Sequence, residues 1–298
     1  MKTIRLYLYV TMCTLFAATF AACDRDVHEN ESHGLAVGME WLDGIEPTDI
    51  TSPVNLWIYD ADDLEVEAHE FSSPQELASG LFSLPEGDYT LVGVCGLTEP
   101  FRYDYENGTR TADMLRVSLA DPSASPAHAV GGVAVASVTD TRINIRSVIR
   151  VAPLLAELAV RIDGVPEGAS LAVTVRNAAT CLYPARQGDD NSYIVPSAEK
   201  NEVHLPQAVA DGGTLSAGIR LMPTAQGETC TLLYMVMTFA DGSRHEYMAE
   251  APLMLPGKHY ELALEYDRMQ PYMYITATGI TDWGEGWSTS DDIFNPGI

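Results

Sequence analysis

Apolar and polar residues alternate with a period of two in one short stretch after another along this chain. Successive side chains of a strand point to opposite faces, so such a pattern buries its apolar half only by pairing strands into sheets and stacking the sheets. Leu35, Val37, Met39 and Trp41 alternate with Ala36, Gly38 and Glu40. Val54 to Tyr59 turns through Asp60-Ala61-Asp62-Asp63 and returns as Leu64 to Phe71, a hairpin. Glu157 to Ile162, Leu171 to Val175 and Leu215 to Leu221 alternate in the same way. Leu232 to Phe239 is apolar on both faces, the pattern of a central strand. The one short helical signal is Ser73-Pro74-Gln75-Glu76: a capping serine, proline at the first helical position and glutamate three residues after the cap predict a turn of helix over Pro74 to Ser79, ended by Gly80. The chain is therefore expected to be all-β, built from antiparallel sandwiches.

One local motif occurs twice. Leu84-Pro85-Glu86-Gly87-Asp88-Tyr89 leads into a strand over Tyr89 to Val94, and Leu255-Pro256-Gly257-Lys258-His259-Tyr260 leads into one carrying Tyr260, Leu262, Leu264 and Tyr266 on a single face. Leucine, proline and tyrosine keep the same spacing in both. A hairpin precedes each copy, the second turning at Phe239-Ala240-Asp241-Gly242, where Asp-Gly is a strong turn signal. Two matching sets in the same order predict a duplicated sandwich, with residues 34–148 as an N-terminal module and 149–298 as a C-terminal module ending in a glycine-rich tail.

The first 22 residues read differently. Lys2 and Arg5 precede a mostly apolar run from Leu6 to Phe20, the layout of a secretory signal and too short to span a bilayer comfortably. Phe20-Ala21-Ala22-Cys23 resembles a bacterial lipobox, which makes Cys23 the first mature residue and the lipid attachment site, carrying several acyl chains such as palmitate. An ordinary signal peptide with Cys23 incidental is the alternative. Residues 23–33 are polar and acidic, the composition of a tether. Loss of a segment with two basic and no acidic residues takes the formal charge from −25 to −27. That balance argues against nucleic acid, whose binding depends on basic side chains, and an anionic lipid surface would repel it. Of the remaining thiols, Cys181 and Cys230 could form one bridge in an exported protein, while small buried thiols in strands are the commoner reading for Cys95, Cys181 and Cys230.

Reactive chemistry is scarce. None of the seven histidines pairs with another His or Cys at metal-ligand spacing, and no nucleotide, phosphate or hydrolase motif is present, so no catalytic residue, cofactor or metal is expected. Asp60, Asp62, Asp63 and Glu65 lack the glycine and final glutamate of a calcium loop and read as a solvated turn, as does Asp189-Asp190-Asn191. Of the aromatic residues, Trp41 and Trp57 read as core. Trp283 and Trp287, in the tail, are the possible glycan platform.

Taken in order, Phe20 to Cys23, Leu56-Trp57-Ile58-Tyr59-Asp60, Leu84 to Val92 and Ile280-Thr281-Asp282-Trp283 resemble the fimbrillin-like lipoproteins, most of all the fimbrial anchor and minor-subunit type of gram-negative outer membranes. The resemblance spans most of residues 34–287. It implies two tandem transthyretin-like antiparallel β-sandwich domains. It also implies lipid anchoring to the outer membrane through Cys23, and association with other fimbrial subunits by strand exchange along sheet edges. Asp24, Asp26, Glu29 and Glu31 look like surface-export signals, with Arg25 a departure from that pattern. Polymerising subunits of this superfamily lose their first strand to an arginine-directed protease, yet from Asp26 to Phe101 this chain has no Lys or Arg. The expectation is a membrane-held, non-enzymatic anchor that keeps its first strand and faces the cell exterior. The alternative is a glycan-binding surface lipoprotein of the same architecture.

Overall fold

The computed structural model describes residues 33–41, 53–188, 193–269 and 274–276. The first half runs β1 (Leu35–Trp41), β2 (Val54–Tyr59), β3 (Glu65–Phe71), the helix α1 (Pro74–Ser79), β4 (Gly87–Cys95), β5 (Phe101–Tyr105), β6 (Leu115–Leu119), β7 (Val130–Val138) and β8 (Ile145–Pro153). The second runs β9 (Ala156–Asp163), β10 (Ser170–Ala179), β11 (Cys181–Tyr183), β12 (Val195–Pro196), β13 (Lys200–His204), β14 (Ala208–Val209) and β15 (Thr214–Leu221). It continues with β16 (Thr231–Thr238), β17 (Arg244–Ala251), β18 (His259–Glu265) and β19 (Tyr274–Thr276). The protein is all-β. The alternating stretches are strands as expected, except that Tyr266 leaves β18 for a 3₁₀ turn over Tyr266–Arg268.

Local chemistry places the turns. Asp60 Oδ1 accepts the N–H groups of Asp62 and Leu64 at 3.0 Å each, closing the β2–β3 hairpin as an Asx turn. Ser73 Oγ accepts the Glu76 N–H at 3.2 Å and the Glu76 carboxylate accepts the Ser72 N–H at 2.7 Å, so the start of α1 is capped from both sides. The β16–β17 hairpin turns at Gly242, whose φ of +84° suits glycine.

Among the described residues four sheets enclose three cores. The first sheet has the order β1-β8-β7-β4-β2-β3, and its members do not all lie in one layer. β8 pairs with β7 only at Val130–Pro153 and Gly131–Ala152, and along residues 145–151 it pairs in parallel with β1. The β1–β8 ribbon and α1 share a core with one face of β2 and β4: Leu35, Val37, Ile149, Val151 and Leu77 pack with Leu56, Ile58, Tyr89 and Leu91. Met39 and Ile149 crowd Gly93, where an added Cβ would stand 2.4 Å and 2.9 Å from their side-chain carbons.

The opposite face of β2 and β4 is buried too. Trp57, Tyr59, Val92 and Val94 pack against Phe101, Leu115 and Val117 on β5 and β6 and against Leu182 on β11. These belong to a second sheet, β12-β11-β6-β5, with two strands from each half of the chain. The third core lies between β13-β10-β16-β17-β19 and β15-β9-β18, filled by Leu171, Val173, Leu233, Met235 and Tyr247 from one sheet and Leu158, Val160, Ile219 and Leu262 from the other. β16 is central in pairing, between β10 and β17, with Leu233, Met235 and Met237 buried on one face and the other face half-buried. Where β10 leaves its register after Val175, Asn177 bonds Cys230 O at 2.8 Å and the Leu232 N–H at 2.9 Å, satisfying backbone the ladder no longer reaches.

Two features differ from the sequence reading. The pairings β1–β8, β9–β18 and β17–β19 are parallel, within otherwise antiparallel sheets. The two Leu-Pro-Tyr copies differ both as turns and as strands: the chain turns at Pro256-Gly257 with Gly257 at φ of +72° but only bends at Glu86 before β4 begins, and β4 pairs with its own hairpin strand β2, while β18 crosses to the opposite sheet and runs parallel to β9. What the copies share is a buried tyrosine whose hydroxyl donates to a main-chain carbonyl upstream, whereas strand pairing depends on contacts remote in sequence.

Candidate functional site

Cys23, Trp283 and Trp287 lie outside the described residues. Trp57 is a core residue, its ring meeting Tyr103 edge-on at 5.1 Å between centroids, and Trp41 packs half-buried against the first core. Among the described residues no group of three or more His, Cys, Asp or Glu side chains is arranged to hold a metal ion, and no helix is long and apolar enough to cross a membrane. Cys95, Cys181 and Cys230 are all free, so the Cys181–Cys230 bridge left open by the sequence is not formed. Cys181 lies buried in β11 and Cys230 sits half-buried ahead of β16. Cys95 is a core thiol, its Sγ 3.3 Å from Met39 Sδ and its pKa pushed up to about 12 by burial.

The acidic turn after β2 is an ordered electrostatic unit. Asp63 adopts φ of +64°, and burial together with the nearby Asp113 carboxylate raises its pKa. Beside it the Glu65 carboxylate accepts Arg110 Nη1 at 2.7 Å and the Tyr105 hydroxyl, which also meets Tyr59 Oη at 2.9 Å. Glu65 thus ties β3 to Arg110 and Tyr105 at the end of the first sandwich, whereas the charged form of Asp63 is disfavoured by its burial and by Asp113.

β1 is the element with the clearest functional consequence. All seven residues pair with β8, from Leu35–Ile145 to Trp41–Val151. Leu35 also exchanges both backbone bonds with Phe82 at 2.9 Å, and Gly34 N–H reaches Asn144 Oδ1 at 3.2 Å. Leu35 and Val37 are each 1% exposed. The first strand is an integral part of the core.

Sheet edges are the other candidate surface, since an unpaired strand offers N–H and C=O groups to a second chain. β3 carries Glu65, Glu67 and Glu70, with Glu67 2.7 Å from His69. β5 carries Arg102 and Asp104, β13 Lys200 and Glu202, β15 Arg220, and β18 Glu261 and Glu265. β12 contains Pro196, and β19 is three residues long. Charge, proline and shortness discourage further pairing at these edges. β7 is different: Val133 to Val138 holds neither charge nor proline and, among the described residues, has β4 as its ladder partner on one side only. Sequence reasoning missed β7, because Gly131-Gly132 interrupts its apolar pattern.

The profile of a family described as fimbrillin-A associated anchor proteins Mfa1 and Mfa2 matches residues 32–288. Among solved structures, a candidate adhesin from Bacteroides ovatus is similar over 83% of this chain and 96% of its own, with 13% identity and a TM-score of 0.56. The fimbrial anchor protein Mfa2 from Porphyromonas gingivalis is similar over 71% of this chain and 80% of its own, with 12% identity and a TM-score of 0.51. A candidate polysaccharide-binding protein from Bacteroides thetaiotaomicron covers 72% of this chain and 79% of its own, with 13% identity and a TM-score of 0.50. At such identities the structural likenesses establish the fold. No curated protein sequence matches the chain.

Proposed function

The chain belongs to the family of fimbrillin-A associated anchor proteins, and on that footing we propose that it is the lipid-held base of a surface fimbrium: a structural subunit acylated at Cys23, retained at the outer membrane, and joined to other fimbrial subunits through sheet edges. The two tandem transthyretin-like sandwiches expected over residues 34–148 and 149–298 are carried into this reading with the boundary moved to the end of β8, because Ile149 and Val151 pack in the first core. The role is structural, carried by strand contacts in place of a reactive pocket.

The observation that carries this reading is a buried, fully paired first strand with no basic residue beside it. Leu35 and Val37 are buried and all of β1 is paired with β8, and no Lys or Arg occurs between Asp26 and Phe101 for an arginine-directed protease to use. Exposing these two side chains would cost about 1.5–3 kcal/mol each, before the loss of the ladder is counted. A subunit that keeps β1 also keeps whatever is attached ahead of it, and a lipid on Cys23 then holds the whole chain at the membrane. Several acyl chains give stable anchoring where one does not.

Intact-mass and N-terminal peptide analysis of the protein extracted from its native membrane tests the proposal. The expected mature form begins at an acylated Cys23. A form that begins beyond Trp41 would reverse the assignment, and one that begins near residue 23 without acyl groups would remove the membrane attachment.

A further inference from the structure

The β7–β8 hairpin is closed over only part of its length. Next to its two ladder pairs, Leu154 N–H donates to Ala129 O at 2.9 Å. Gly132 marks where β8 leaves: an added Cβ there would lie 2.0 Å from Arg150 O, so the two backbones cross in near contact. β8 then pairs with β1, while β7 continues to Val138 in an unbroken antiparallel ladder with β4. Backbone groups of successive strand residues point to alternate sides. Ala129 and Gly131 direct theirs toward β8, so Val133, Val135 and Ser137 direct theirs to the side that β8 has left.

The side chains fit a pairing surface. Val135 is 69% exposed, Ala136 and Val138 are buried in the first core, and Val133 packs at the rim of the second. Among the described edges this is the long one with no charge, proline or bulge to discourage addition. Outward-facing N–H and C=O groups at every second residue are complementary to one kind of partner, an extended backbone. A formal charge of −25 for the whole chain, and more negative without residues 1–22, opposes a second copy of this chain at close range.

We propose that the Val133–Ser137 edge of β7 accepts a strand from a different polypeptide, one with alternating apolar residues and a neutral or basic charge. The inference rests on the anchor reading above and names the edge through which that anchor holds its neighbour. The chain that docks there lengthens the β7-β4-β2-β3 layer and places its inward side chains over the first core.

Hydrogen exchange on the full mature chain tests it, with an octapeptide of alternating valine and threonine flanked by lysines as the probe. The expected result is at least tenfold slower exchange at the amides of Val133, Val135 and Ser137, and none with the same peptide N-methylated at alternate residues. Val135→Pro removes an outward N–H while leaving the β4 ladder intact, and should weaken peptide binding at least tenfold. Val135→Lys, at an exposed side chain, should do the same without disturbing the fold, which near-UV circular dichroism checks. Protection shared equally with β3 or β18, no protection on β7, or unchanged affinity of both variants overturns the proposal. A dimer of this chain abolished by Val135→Lys in sedimentation assigns the edge to a second copy and overturns it as well. Failure here with a mature start at acylated Cys23 leaves the anchor reading standing, whereas a start beyond Trp41 defeats that reading and leaves the β7 result untouched.

Discussion

Individual side chains set several local properties that mutation can isolate. Tyr260 donates its hydroxyl to Leu253 O at 2.8 Å and accepts the Leu255 N–H at 2.9 Å, while Tyr89 donates to Pro85 O alone at 2.9 Å. Tyr260→Phe leaves two main-chain groups without a partner and should destabilise the protein by about 1–3 kcal/mol, with Tyr89→Phe costing less, as urea denaturation can establish. Gly132→Ala forces a methyl group against Arg150 O and should cost on the order of 2–3 kcal/mol by the same measurement, as overpacking at backbone that cannot yield. Asp63 has a pKa raised by burial and by Asp113. Between the ordinary aspartate value, roughly 3.9, and the raised one, the folded chain holds a proton that the unfolded chain has released, so stability falls as pH rises through that window and stays lower above it. Asp63→Asn, which tolerates φ of +64°, should flatten that decline and raise the melting temperature at neutral pH. A mutant melting profile from pH 3 to 7 with the wild-type slope would contradict this.

At the level of strands and turns, what could be read from the sequence was whatever is settled by neighbours in the chain. The Ser73 cap, the Asp60 turn and the Asp241-Gly242 turn obey local hydrogen-bond and φ requirements, and the alternation of β1, β9, β15 and β18 records which face is buried. Pairing was not legible. β1 and β8 lie 110 residues apart, and nothing in Leu35 to Trp41 specifies a parallel partner over an antiparallel one. The identical spacing of Leu84-Pro85-Tyr89 and Leu255-Pro256-Tyr260 misled for the same reason, since it fixes where a buried tyrosine stands and not which strand lies beside it. Of the candidate contact surface, the buried first strand was legible, and the open edge of β7 was not, because it arises where β8 departs. Deleting residues 34–41 removes one side of the first core together with the ladder along β8. The truncated chain should aggregate or lose its near-UV circular dichroism, and a soluble, folded truncation would show β1 to be dispensable.

Across the whole molecule, the second core joins the halves: Trp57, Val92 and Leu115 pack in it with Leu182, Met222 and Ala225. Polar links add to it, with Arg186 donating to Asp113 O and Glu106 at 3.0 Å and the His204 N–H donating to Ser123 Oγ at 2.9 Å. Calorimetry should therefore record one cooperative transition, and two well-separated ones would mean that this shared core contributes little. The parallel β1–β8 ladder has a mechanical meaning. Traction entering at the start of β1 and leaving at the end of β8, where the chain passes to the second half, slides the two strands along each other and loads all seven residue pairs at once instead of peeling them singly. Stretched between residues 34 and 153, the ladder should rupture at a higher force than when gripped at residues 34 and 145, where the same pairs open one after another.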